Sequence, residues 1–515
     1  MRRGVTALRL TLIALGAMSV GRAAPAAAGA HAAARFDIVS PCPFPTGSVA
    51  AERLTCGYLE VPETRGVEAG PRLRLPVVRI RAAEPGLHDD PVVFLHGGPG
   101  AAPLESGRTI ERFAGHPFAA SRDIILFNQR GSAQTEPPLR CAALTGNAAT
   151  VIAADVDLAA RDARVAEMAG RCLREVANSG RNLSAYGAAA AAADLRDLRE
   201  ALGVGRWNIL AVSYGTLVAL EAARIDAPGI RSLILDSIVS PQSDLFLSEG
   251  PRNFSLGLDR VLDSCAADAD CKAAFPDLRG ELLRVIEELR RKPRTVVVAG
   301  PGGEGEVPLA VNWHDFLGAI HWMLYNAQTL RLVPLLIDRT QHGDLRVLSY
   351  VMDRIYPAPR NAAPGPSPAF FAFVCRDQYT AEAPRPMAPA DPAFGGFSIV
   401  SFMASACAGL VGDPPVRAPP VHSGVPALLL SGQFDPMTPA LYAREVAADL
   451  PNSTLVVIGD SGHSTLSDFA ACQTQLAVAF IDTLQASAPC LATPTRPRFL
   501  LDATPEIRSY AAPSR

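Results

Sequence analysis

Trp207-Asn208-Ile209-Leu210-Ala211-Val212-Ser213-Tyr214-Gly215-Thr216-Leu217 is the stretch that decides the fold. Trp207–Val212 is an apolar run that reads as a buried strand, it breaks at one serine, and a helical pattern opens from Leu217. A serine on so sharp a strand–turn–helix bend has its Oγ forced into the open. Small residues must flank it because strand and helix nearly touch. Gly215 meets that need after the serine, and Ala211, one methyl larger than glycine, meets it before. The plainer alternative is a helix N-cap, whose hydroxyl merely accepts a helical N–H. The neighbouring segments choose between the two.

Similar short runs lie on both sides. They are residues 73–82, Val92–Leu95, Ile124–Phe127, Leu233–Leu235, Ala427–Leu430 and Leu455–Ile458. Helical patterns such as Ala188–Leu202 lie between them. Short buried strands alternating with helices predict an α/β fold with a doubly wound, mostly parallel sheet. Between 241 and 415 the pattern changes: 256–274, 281–291 and 311–324 read as helices, with Gly/Pro-rich breaks at 300–305 and 357–368. The expected organisation is a core from 36 to 240, a mostly helical cap from 241 to 415 inserted between late strands, the rest of the core from 416 to 492, and a tail from 493 to 515.

Two further loop systems sit at strand ends. His96-Gly97-Gly98-Pro99-Gly100 follows the run Val92–Leu95. Glycines let backbone N–H groups face a ligand without a Cβ in the way. An acyl-transfer site needs two such donors where an oxyanion develops. Gly97 or Gly98 is expected to supply one and Tyr214 the other. His96 precedes the serine in the chain and is assigned a structural role. Gly432-Gln433-Phe434-Asp435-Pro436 follows Ala427–Leu430, and Asp460-Ser461-Gly462-His463-Ser464 follows Leu455–Ile458. Ser213, Asp435 and His463 therefore come in the order nucleophile, acid, base. His463 would take the Ser213 proton, and Asp435 would hold and stabilise the imidazole. Asp236 also ends a strand and is the rival acid; Asp460 is expected to shape its turn.

Composition narrows the function. The chain has 515 residues, 49% hydrophobic and 19% charged, with a formal net charge of −3. That excludes global disorder and gives no sign of a nucleic-acid partner. Arg2, Arg3 and Arg9 precede an apolar stretch, Leu10–Val20, and the small residues Ala24-Pro25-Ala26. This is a secretory signal pattern, taken as residues 1–30, and too short for a bilayer span. The expected location is secreted or periplasmic, with no integral membrane segment after signal removal. Ten cysteines all follow that segment, without the C-x-x-C spacing of a metal site. In an oxidising compartment they read as five disulfides. No metal site and no cofactor is expected, so chelators should leave activity intact.

Taken together, His96-Gly-Gly-Pro-Gly, Asn128-Gln-Arg-Gly, Ser213-Tyr-Gly-Thr, Asp435-Pro-Met-Thr-Pro and Gly462-His463-Ser464 resemble the secreted tripeptidyl-aminopeptidase branch of the prolyl-aminopeptidase family of α/β-hydrolase serine peptidases. Cys265 and Cys271 before Phe275-Pro276, and the late pair Cys472 and Cys490, match as well. The likeness spans roughly residues 38–492. The chain departs from it at Ala211, where glycine is usual, at Asn128, where aspartate is usual, and after Ser132, where Ala133-Gln134 replaces a glycine. The resemblance implies an α/β-hydrolase fold and removal of residues or short peptides from peptide N-termini, without metal or organic cofactor. Pairing neighbours along the chain gives Cys265–Cys271, Cys472–Cys490, Cys42–Cys56, Cys141–Cys172 and Cys375–Cys407.

An aminopeptidase must receive a free ammonium, which is costly to desolvate unless a carboxylate meets it. Asp244 and Glu249 are the cap candidates, with a solvated surface role as the alternative for each. Two other functions fit the same residues: a secreted esterase or amidase acting on small molecules, and a non-catalytic binding protein on a hydrolase fold. Loss of the serine, acid or base would mark the last, and all three are present.

Overall fold

The structure is a computed structural model. It describes residues 34–67, 69–141, 158–300, 305–354, 367–379, 394, 397–408, 416–466, 471–492 and 495–510. The expected signal segment lies outside them. Ala34–Arg515 fall in one compact unit.

Eleven strands are described: β1 (Arg35–Ile38), β2 (Leu54–Pro62), β3 (Arg72–Ile80), β4 (Val92–Leu95), β5 (Ile124–Phe127), β6 (Trp207–Val212), β7 (Ile230–Asp236), β8 (Arg294–Ala299), β9 (Glu306–Val311), β10 (Ala427–Gly432) and β11 (Ser453–Ile458). Nine form one sheet in the order β1-β2-β3-β5-β4-β6-β7-β10-β11. From β5 to β11 every pairing is parallel, and the pairings β1·β2, β2·β3 and β3·β5 are antiparallel. This is the α/β-hydrolase fold, with its mostly parallel sheet.

Successive residues of the central strands alternate between two cores. Val93, Leu95, Ile209, Ala211, Leu233, Leu235 and Leu429 pack on one face with Leu195, Val218 and Tyr442 from the helices Ala188–Ala201, Tyr214–Asp226 and Ala440–Asp449. Val92, Phe94, Leu210, Ile234, Leu428 and Leu430 pack on the other with Phe113 and Phe480 from the helices Gly107–Ala114 and Ala471–Thr483. Strands buried on both faces read as continuous apolar runs because the side-chain period of two sends each neighbour to an apolar layer.

The middle of the chain has a core of its own. Residues from Phe254 to Met352 form it, built on the helices Gly250–Ala267, Leu278–Arg291, Trp313–Met323, Val333–Gln341 and Arg346–Arg354. It also holds the antiparallel ribbon β8–β9, which the helical reading of this region did not contain. Ile507 joins the same core, so described residues of the C-terminal tail lie on the cap. The helices Pro368–Asp377 and Met403–Ala408 pack instead on the main core, through Phe371, Phe373, Met403 and Cys407.

Five disulfides link Cys42–Cys56, Cys141–Cys172, Cys265–Cys271, Cys375–Cys407 and Cys472–Cys490, each between neighbours along the chain. Among the described residues no helix is long and apolar enough to cross a membrane.

Candidate active site

Strand register brings the motif loops to one edge. Leu95 of β4 aligns with Ala211 of β6, Ala211 with Leu235 of β7, and Leu235 with Leu429 of β10. The chain therefore leaves the carboxyl ends of four adjacent strands with Gly97, Ser213, Asp236 and Asp435 gathered there. This is where open α/β sheets place ligands.

Ser213 sits between β6 and the helix Tyr214–Asp226 with φ 55° and ψ −129°. A left-handed φ is strained for a residue with a Cβ, and such strain persists only where the surroundings over-determine it. Here the Ser213 N–H donates to the Asp236 carbonyl at 2.9 Å, and the Thr216 hydroxyl donates to the Ser213 carbonyl at 2.6 Å. Ser213 makes no side-chain cap bond to the helix it precedes, so the N-cap reading does not describe it. A Cβ on Gly215 would stand 2.4 Å from the Leu95 carbonyl oxygen, which is why the bend needs glycine there.

The glycine loop lies against the serine. A Cβ on Gly97 would come within 2.7 Å of Ser213 Cβ and 3.2 Å of its Oγ. Gly98 has φ 115°, open to glycine and strained for other residues. Tyr214 opens its helix, so its N–H is among those with no carbonyl one turn earlier. The Tyr214 side chain is buried, and its hydroxyl donates to Asp377. Behind the loop, Gln129 donates to the His96 carbonyl at 2.9 Å. Asn128 accepts the Leu104 N–H at 3.1 Å, and Arg130 bonds Asp194 through two nitrogens at 2.7 and 2.6 Å. The Asn128-Gln-Arg segment is thus a scaffold under the glycines.

Asp435 and His463 meet from the loops that follow β10 and β11. His463 Nδ1 lies 2.8 Å from Asp435 Oδ2. Asp435 is fully buried; its Oδ1 accepts the N–H groups of Met437 and Thr438, both at 2.8 Å, and its Oδ2 accepts the Thr438 hydroxyl at 2.7 Å. Burial alone would raise this carboxyl. The His463 ring and the Thr438 donors outweigh it and hold the group down at about 2. The carboxylate is therefore charged at any pH where an imidazole is neutral.

Asp236 has a different task. Its Oδ1 and Oδ2 accept the N–H groups of Thr465 and Leu466 at 3.0 and 2.8 Å. It fixes the backbone just past His463, and burial raises its carboxyl. Ser237 and Ser464, both with positive φ, tie the same corner: the Ser237 hydroxyl accepts the Ser464 N–H at 2.7 Å.

The end of the helix Trp313–Met323 and the residues just after it pack against His463. The Tyr325 ring lies 4.7 Å from the His463 ring, and a Cβ on Gly462 would stand 1.6 Å from the Leu324 carbonyl oxygen. His321, one turn before Tyr325, is buried among Phe254, Tyr325 and Phe397, and neither ring nitrogen has a hydrogen-bond partner among the described residues. Burial, and then the nearby His463, push its ring down to about 3.

The proposed ammonium ligands are already engaged. Asp244 pairs with Arg417. Glu249 accepts the Tyr442 hydroxyl and the Asp244 N–H, the latter at 3.2 Å, with Arg252 at 3.5 Å. Sequence reasoning missed Thr438, Asp236's grip on the base loop, and the cap pair His321 and Tyr325. Thr438 was within reach, three residues after Asp435 in a turn sequence; the other contacts join segments far apart in the chain.

Two family models match the chain: residues 90–274 match an alpha/beta hydrolase fold, and residues 391–490 match a TAP-like protein. Serine protease Hip1 of Mycobacterium tuberculosis is 27% identical over 224 residues, 42% of this chain and 42% of that protein. Tripeptidyl aminopeptidase of Streptomyces coelicolor is 27% identical over 199 residues, 37% of this chain and 36% of that protein. The chain thus spans about two fifths of the length of the curated relatives it matches. Among solved structures, a proline iminopeptidase of Mycobacterium smegmatis aligns at 15% identity with a TM-score of 0.36, covering 83% of this chain and 98% of that one.

Proposed function

We propose that this chain, an α/β hydrolase of the TAP-like branch, is a secreted serine aminopeptidase that releases residues or short peptides from peptide N-termini. The observation that carries the chemistry is the pair Asp435–His463 at 2.8 Å on the sheet edge that also presents Ser213 in a strained bend. The named relatives, a serine protease and a tripeptidyl aminopeptidase, support peptides as the substrate class. The disulfides support an oxidising compartment.

In this reading Ser213 Oγ attacks the scissile carbonyl carbon while His463 takes its proton. The carbonyl π pair moves onto oxygen, which N–H groups of Tyr214 and of Gly97 or Gly98 stabilise. The C–N bond then breaks, His463 gives its proton to the leaving amine, and an acyl-Ser213 ester remains. Water, deprotonated by His463, attacks that ester and restores Ser213. Asp435 keeps the imidazole oriented and stabilises its charged form. The helices from Gly250–Ala267 to Arg346–Arg354 act as a cap that closes one end of the site, which favours exopeptidase over endopeptidase action. Asp244 and Glu249 stay as candidates for the substrate ammonium only if Arg417 and Arg252 release them.

The test compares a tripeptide anilide with its N-acetylated form and with a small aryl ester, using the Ser213→Ala protein as blank. Preferential cleavage of the free-amine peptide is expected. Equal cleavage of both peptides would leave a serine hydrolase but not an aminopeptidase, and preference for the ester would favour a small-molecule esterase.

A further inference from the structure

Two helices of the cap carry a cluster that the chemistry at Ser213 does not use. Glu281 lies on the helix Leu278–Arg291, Asp338 on the helix Val333–Gln341, and His342 at the C-cap of the latter. One carboxylate oxygen from each acid and one ring nitrogen of His342 lie within 4.8 Å of one another. None of the three is bonded to Ser213, Asp435 or His463 among the described residues. We propose that Glu281, Asp338 and His342 form a site for a divalent transition-metal ion, zinc before others, that joins these two cap helices.

Glu281 points to a ligand. It is only 7% exposed, and its Oε2 is buried without a hydrogen-bond partner among the described residues. A buried carboxylate oxygen left unpaired is costly, and a second carboxylate beside it adds repulsion. Burial, and then Asp338, raise the Glu281 carboxyl. His342 is the first group to offset the charge of Glu281, ahead of Arg284. Arg339 Nε is 3.7 Å from Asp338 Oδ2, and Arg284 is hydrogen-bonded at 2.9 Å to Asp277 instead. A dication answers both costs at once.

The donor set selects the metal. Imidazole with carboxylates suits zinc and its neighbours, whereas magnesium and calcium prefer shells built from oxygen. Asp338 and His342 are four residues apart and so share a helix face. His342 Nδ1 is 3.3 Å from Asp338 Oδ1 and 2.8 Å from the Asp338 carbonyl oxygen, a bond the ring gives up when this nitrogen turns its lone pair to the ion. Two ligands on one tetrahedral zinc at about 2.0–2.1 Å stand about 3.4 Å apart, so the pair is already near that spacing. The His342 side chain is 62% exposed, which gives the ion an entry path and water access to a fourth position. No spacing in the sequence announces this cluster, because Glu281 and the Asp338/His342 pair come from different helices.

The experiment titrates ZnCl2, and separately MgCl2, into chelator-stripped protein, reading equilibrium dialysis and melting temperature. Glu281→Gln and His342→Ala are the variants, and turnover of the free-amine peptide is followed in parallel. The expected result is one zinc per chain and a rise in Tm of about 2 °C or more at saturation. Both variants should lose the Tm rise and weaken binding at least about tenfold, and metal-free protein should keep its turnover. Absence of zinc binding, equal binding by wild type and either variant, or the same Tm rise with magnesium would overturn the site.

Discussion

Asp236 holds the Leu466 N–H at 2.8 Å, so the strand-end acid that could have served His463 instead pins the loop that carries it. Its other oxygen takes the Thr465 N–H at 3.0 Å. The arrangement predicts a loss that differs in kind from loss of Asp435. In Asp236→Asn the new amide faces a backbone donor with a donor. A buried group left unsatisfied costs about 1–3 kcal/mol, and misplacement of a catalytic group by about 1 Å can cost roughly 100-fold in rate. The expected outcome is a lower melting temperature and a kcat reduced at least about tenfold, with KM little changed. Steady-state kinetics with a thermal melt checks it; an unchanged kcat would remove Asp236 from the support of His463.

Ser213→Ala is expected to lower kcat by at least about 10⁴-fold. The motive is the strained bend at φ 55°. A fluorophosphonate should label the wild type and not the variant, and far-UV circular dichroism should match between them. Labelling that survives the substitution would place the nucleophile elsewhere.

Gly97→Ala tests the glycine loop. Its Cβ would stand 2.7 Å from Ser213 Cβ and 3.0 Å from the Val212 carbonyl oxygen, so either the loop or the serine must shift. Losing one oxyanion donor costs about 10²–10³ in kcat. A fall of that order is expected, with KM changing far less. A variant with wild-type kcat would exclude Gly97 from the oxyanion site.

The buried histidines predict acid sensitivity of the fold. His321 is held down at about 3 and His116 at about 4, each chiefly by burial. An unfolded histidine binds its proton near pH 6.5, so below that pH the unfolded chain takes up protons that the folded chain refuses. The sign is a stability that is full above about pH 6.5 and falls as the pH drops toward the folded values. At pH 5.5 each group contributes a loss of about 1.4 kcal/mol. His321→Phe removes one such group and two ring nitrogens that have no hydrogen-bond partner among the described residues. Its stability–pH curve between about pH 6.5 and pH 4 should be flatter than that of the wild type. Urea midpoints across that range decide it, and parallel curves would show that His321 is not part of the acid response.

Much of this protein was legible in the sequence. Runs such as Val92–Leu95 and Ala427–Leu430 are apolar at every position, which implies burial on both faces and hence a sheet with helices on each side. The order Ser213, Asp435, His463 and the glycines at 97, 98 and 215 followed from the strand ends they occupy, because a strand–turn–helix bend tolerates few residue types. Local composition also marked most of the cap helices, but β1, β2 and the ribbon β8–β9 passed unread; each is antiparallel, and a half-exposed strand shows no continuous apolar run. What only the tertiary structure decided are pairings between distant segments. Asp236 and Asp435 both end parallel strands in the right order, and nothing local separates them. Side-chain direction and register put Oδ2 of Asp435 on the imidazole and both oxygens of Asp236 on the backbone beyond it. In the same way Arg417 reached Asp244, and Tyr442 reached Glu249, across more than a hundred residues. A hydrogen bond is set to within a few tenths of an ångström by the packing of whole helices and strands, and that packing is a property of the folded chain rather than of any stretch along it.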